Sequence, residues 1–136
     1  MSRSSALAIF LIVVLLGPIF GAVVFGLLLG LHLALTEPGL PSGLPVLGSI
    51  IFIPLAYIVG GLQALATGVV ASLSSLRAGR LSWLPALAVA AIAGAIHASR
   101  EHVADDWSFT VILFLANVLA AALCLTVCRL MLGRGA

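Results

Sequence analysis

The sequence contains no lysine, and its 136 residues include only six arginines and four acidic side chains, so charged residues make up 7% of the chain. A soluble domain carries about 25% charged residues. So little charge cannot coat a water-facing surface, which excludes a soluble globular domain. It also excludes a nucleic-acid binder, which needs a dense basic patch, and a disordered tail, which needs abundant polar and charged residues. The chain is instead 63% hydrophobic, with a mean hydropathy of +1.35. These values describe an integral membrane protein.

A helix crosses roughly 30 Å of hydrocarbon with about 20 mostly apolar residues. Residues 6–35 carry no charge, and a cluster of Glu37, Pro38, Gly39, Pro41, Gly43 and Pro45 follows. Proline lacks an amide donor and fixes φ, so this cluster reads as a turn. Further apolar runs cover residues 46–76, 81–99 and 107–132, bounded by Arg77, Arg80 and Arg100 and interrupted by Arg129. The expectation is an all-α, polytopic bundle of four transmembrane helices, forming a single domain over residues 1–136. The first two runs exceed one crossing, so tilt or kinks must absorb the excess, and Pro18 and Pro54 are the expected kink sites.

With four crossings, Arg3, Arg77, Arg80, Arg129 and Arg134 fall on one side, while Glu37, Glu101, Asp105 and Asp106 fall on the other with Arg100. The positive-inside rule then puts both termini in the cytoplasm. The N-terminal run is too long for a signal-peptide core of about 7–15 residues, so it is expected to be retained as a span. Cys124 and Cys128 lie four apart on one helix face, about 6 Å from each other, which is awkward for a disulfide. They read as small packing residues.

Lipid tails provide no hydrophobic drive between helices, so close approach depends on small residues and polar contacts. The second run offers Gly60, Ala64, Gly68 and Ser72 at successive i,i+4 positions. The first offers Gly17/Gly21 and Gly26/Gly30, on opposite sides of a straight helix. The third run is rich in alanine and is expected to be central and tightly surrounded. Gln63, Thr67 and Asn117 are the polar residues singled out within the spans. Amides facing lipid would be unpaired, so Gln63 and Asn117 should point inward and hydrogen-bond within the bundle, with a bond to each other as one arrangement.

The polar residues bear on four kinds of chemistry. His32, His97, Glu101 and His102 cluster toward the outer side and could ligate a divalent metal. The plain alternative is a solvated boundary loop, favoured because no HxxxH or HExxH spacing occurs. His32 and His97 could also give the two axial nitrogens of a haem, but no other feature supports a cofactor. Hydrolytic catalysis is not expected, since Ser72, Ser74, Ser75 and both cysteines lie toward the side opposite the histidines, far beyond reach of a base. Ion-coupled transport usually needs an ionisable residue within the membrane, and mid-span Asp, Glu and Lys are absent. Small multidrug exporters of similar length depend on a first-helix carboxylate that this sequence lacks.

The stretch Gly17-Pro18-Ile19-Phe20-Gly21-Ala22, with Tyr57, Gly60, Ala64 and Gly68 in the second run, resembles small four-helix inner-membrane proteins of unknown function common in alphaproteobacteria. The resemblance implies a bacterial inner membrane and brings no activity with it. The leading functional expectation is a structural or accessory subunit of a larger membrane complex, bounded by lipid and by a membrane-protein partner or a second copy, with no nucleic acid. The alternative is a small oligomeric channel or carrier lined by Gln63, Thr67 and Asn117. The third reading is the haem- or metal-binding protein.

Overall fold

The computed structural model describes residues 2–36, 47–48, 51, 53–100 and 107–132, without the side chains of residues 55, 59, 97, 98 and 100. Four helices carry the described fold: α1 (Arg3–Thr36, 34 residues), α2 (Ile53–Ala78, 26 residues), α3 (Trp83–Arg100, 18 residues) and α4 (Trp107–Leu132, 26 residues). The described residues contain no strand.

Local sequence explains how the helices begin and end. The Ser2 hydroxyl accepts the Ser5 amide at 3.2 Å, an N-cap that meets one of the open donors of α1. Pro18 lies inside α1 and removes the bond to the Val14 carbonyl, yet the helix continues through it. Pro85 falls in the first turn of α3, where a missing amide costs no helical bond. Residue 51, ahead of Pro54, is helical as well, so the kink expected at Pro54 lies at the edge of the described stretch of α2. Between α2 and α3 the chain turns at Gly79, whose φ of 68° is left-handed, a conformation that glycine adopts without a Cβ clash. The fully buried Ser75 hydroxyl fastens this turn by accepting the Ser82 amide at 3.0 Å.

The helices form a ring in which α1 packs on α2 and α4, and α3 packs on the same two. Gly17 of α1 meets Ala64 of α2, while Gly68 meets Phe10 and Val14. Gly21 lies against Ala120, and the rings of Phe25 and Phe109 meet edge to face at 5.7 Å. Gly94 of α3 meets Phe114 and Asn117 of α4. Residue numbers rise on one helix of the α1–α2 and α1–α4 pairs as they fall on the partner, and short contacts close the α2–α3 turn. Neighbours are therefore antiparallel, in an up-and-down bundle. Exposed Arg3, Arg77, Arg80 and Arg129 come to one end, the arginine end.

The expectation that the alanine-rich third run is central is overturned. α3 is the shortest helix, and it exposes Leu84, Ile92 and Ile96. In a four-membered ring each helix has two principal neighbours, so small side chains permit close contact without putting their helix at the centre. The outer surface is apolar elsewhere too, with Leu7, Leu11, Leu27 and Leu31 on α1, Ile58, Leu62, Val69 and Leu73 on α2, and Leu119 and Leu123 on α4 exposed. α1 and α4 are each long and apolar enough to cross a membrane.

The close-packed core occupies the arginine end. Ile9, Ala71, Ala86, Cys124, Leu125 and Cys128 are fully buried there together with Val13, and Leu81, Trp83 and Leu132 pack against them. Close packing of this kind gains dispersion contact between the facing side chains.

A candidate ligand cavity within the bundle

Beyond that core the bundle is hollow. A cavity of about 510 Å³ lies between the helices, and all four contribute to its wall. Val13 and Cys124 belong both to the packed cluster and to the cavity lining, so they form its floor. From there it extends along α1 as far as Leu29, which at 1.5 Å per residue is about 24 Å. Its volume falls within the range of roughly 300–1,000 Å³ typical of small-molecule pockets.

The hollow arises because small residues face small residues. α1 contributes Gly17, Gly21 and Ala22, α2 contributes Gly60 and Ala64, and α4 contributes Ala116, Ala120 and Ala121. A Cβ added to Gly60 would meet nothing within 4 Å, whereas one added to Gly68 would lie 3.3 Å from Phe10 and Val14. The same i,i+4 groove on α2 is filled at one end and empty at the other. Pro18 also lines the cavity, and beside it the Tyr57 hydroxyl donates to the Leu15 carbonyl, tying α2 to α1.

Gln63, Thr67 and Asn117, the three polar residues singled out within the spans, all line this one cavity. They belong to a single chain, so no oligomer is needed to assemble them. Gln63 donates through Nε2 to the Ala93 carbonyl of α3 at 3.4 Å. Asn117 donates through Nδ2 to the Leu113 carbonyl of its own helix at 2.9 Å. The two amides thus bond inside the bundle but not to each other, because each finds a backbone carbonyl closer to hand. Thr67 is only 4% exposed and has no hydrogen bond among the described residues. No fully sealed side-chain N or O among the described residues lacks a partner, so the Thr67 oxygen must open onto the cavity. Ser72, Ser74 and Thr126 behave differently, each donating to a carbonyl three or four residues back, the usual way a helical hydroxyl is satisfied.

No protein-family model, curated protein or solved structure matches this chain. The cavity therefore has to be read from its own chemistry.

The remaining sequence candidates lie elsewhere. Gly26 and Gly30 are buried on α1 toward the end away from the arginines. His32 is partly buried near the end of α1 and does not line the cavity. The His97 side chain and residues Glu101 and His102 lie outside the described residues, as do Glu37, Asp105 and Asp106. Among the described residues no group of three His, Cys, Asp or Glu side chains could hold a metal. The cavity lining contains no Asp, Glu, His, Lys or Arg among the described residues. The wall can solvate an uncharged guest and donate or accept hydrogen bonds, but it offers no counter-charge.

Reading residues one helix at a time missed the cavity itself, and with it the role of Ala116, Ala120 and Phe25. A signal existed: the small residues of α4 share a face with Asn117, and α1 carries glycine pairs on two sides. Recognising a void needed the knowledge that these faces oppose each other.

Proposed function

We propose that the chain is a four-span protein of the bacterial inner membrane, both termini cytoplasmic, that holds a small guest inside its own bundle as a membrane-embedded binding protein or carrier. The observation that carries the reading is the cavity of about 510 Å³, into which Gln63, Thr67 and Asn117 converge from two helices. Pockets between the helices of a bundle are a usual location for ligands. Four spans are supported by the packing. α2 and α3 run beside the two helices long and apolar enough to cross, and they turn bulky apolar side chains outward at the same depth. The four exposed arginines at one end support cytoplasmic termini.

The cavity meets the packed core at Val13 and Cys124, which favours a blind binding chamber over a through-pore. Of the glycine faces that suggested docking to another membrane protein, Gly17, Gly21 and Gly68 are engaged within the chain, which weakens the motive for an accessory subunit. Purification from native membranes in mild detergent, followed by native mass spectrometry, separates the two. A single chain carrying an extra small-molecule mass is the expected result. A stoichiometric set of other membrane subunits, with no bound small molecule, would overturn the reading and make the chain an accessory subunit.

A further inference from the structure

Resting on the binding reading above, we infer that the guest is an uncharged molecule with an apolar body and at least one O–H or N–H donor, held with that donor at the level of Gln63, Thr67 and Asn117. The argument is an account of unused hydrogen-bonding capacity. An amide side chain offers two donors and a carbonyl oxygen with two lone pairs, and a hydroxyl offers one donor and two lone pairs. Gln63 and Asn117 each spend a donor on a backbone carbonyl, which leaves both amide oxygens without a protein donor among the described residues. The Thr67 hydroxyl, more than nine-tenths buried, has no partner among the described residues. All three residues border the same space. Each amide also keeps one unspent N–H and Thr67 its O–H, so acceptors and donors stand together, and a guest hydroxyl, which donates to an amide oxygen and accepts in return, meets both.

The rest of the wall fixes the remainder of the guest. Glycine, alanine, leucine, valine, proline and phenylalanine supply nearly all of it, and such surroundings favour an apolar body. A carboxylate, phosphate or ammonium group would lose its hydration with no opposite charge among the described residues of the lining, a cost that uncharged groups avoid. A plain hydrocarbon would fit the walls but would leave the three polar residues unmet. Phenols and long-chain or cyclic alcohols have the required combination.

The test uses the full chain in lipid nanodiscs and three matched fluorinated probes: 4-fluorobiphenyl, its 4′-hydroxy derivative and its 4′-carboxylate. Fluorine NMR reads the protein-dependent bound signal against empty nanodiscs. The hydroxy probe should bind about three- to tenfold more tightly than the parent, the ratio a single hydrogen bond gives, and the carboxylate should not bind. Thr67→Val keeps the shape, and no protein hydrogen bond is lost, so it should reduce that preference without lowering the melting temperature. Gly60→Leu, filling open space, should remove binding of both uncharged probes. Equal binding of parent and hydroxy probe, abolished by Gly60→Leu, would overturn the donor requirement and leave the cavity reading standing. Preferred binding of the carboxylate would overturn the uncharged class. No bound signal from any probe would sink the cavity reading, and this inference with it.

Discussion

The two halves of the bundle use the same small residues to opposite ends. At the arginine end Gly68 receives Phe10 and Val14 at 3.3 Å, and Ile9, Leu125 and Cys128 are sealed from solvent. Eight residues before Gly68, Gly60 has nothing within 4 Å of where a Cβ would stand and opens on the cavity. The difference lies in what each glycine faces. Bulky side chains across the interface turn a small-residue groove into a tight joint, and small residues across it leave a chamber.

The largest effect should come from the filled half. Leu125→Ala removes a fully buried side chain of the packed cluster and should cost about 2–5 kcal/mol, as core truncations do. Reversible unfolding in mixed micelles measures it, and a loss below that range would mean that the arginine end is looser than described. Next in size is a glycine pair. Gly68→Leu must displace Phe10 and Val14 and approach the Phe10 carbonyl, and overpacking of this kind costs about 1–3 kcal/mol. Gly60→Leu should instead leave the melting temperature unchanged or raise it. Equal damage from both would erase the distinction between the two halves.

Smaller shifts sharpen the boundary between them. Asn117→Leu removes a donor to the Leu113 carbonyl at 2.9 Å from a side chain packed 3.1 Å from the Cβ position of Gly94. It should lower stability by about 0.6–2 kcal/mol, the span measured for polar contacts within membranes, read as a melting shift in detergent. The smallest pair contrasts two buried hydroxyls. Ser75→Ala leaves the Ser82 amide without its acceptor and should cost about 1 kcal/mol. Thr67→Val breaks no protein hydrogen bond and should be close to neutral. A Thr67→Val loss as large as that of Ser75→Ala would mean that the Thr67 hydroxyl has a structural partner.

Much of the architecture was legible in the residues themselves. The four apolar runs are helical, with residues 47, 48 and 51 helical at the head of the second run and the other described ends within three residues of those expected. The face of α4 carrying Asn117, Ala121, Cys124 and Cys128 is the one turned inward, while Leu115, Leu119 and Leu123 are exposed. Helical periodicity explains this, because inward and outward positions follow from 3.6 residues per turn. One expectation failed and one open choice was decided, for a shared reason. The alanine content of α3 did not make it central, and the inward direction of Gln63 and Asn117 did not make them partners. Which helix neighbours which, and which acceptor is nearest, depend on contacts between segments far apart in the chain.

Composition and hydropathy by themselves determined an apolar, all-helical chain with most of its arginines toward one end and with Gln63, Thr67 and Asn117 among the uncharged polar residues of its apolar runs, since charge and periodicity are properties of each segment alone. The tertiary structure alone decided that those three residues share one chamber, that the chamber is floored by Val13 and Cys124, and that Thr67 opens onto it unpaired. A void is a relation between faces: it exists only where small residues on several helices meet with no side chain left to fill the space.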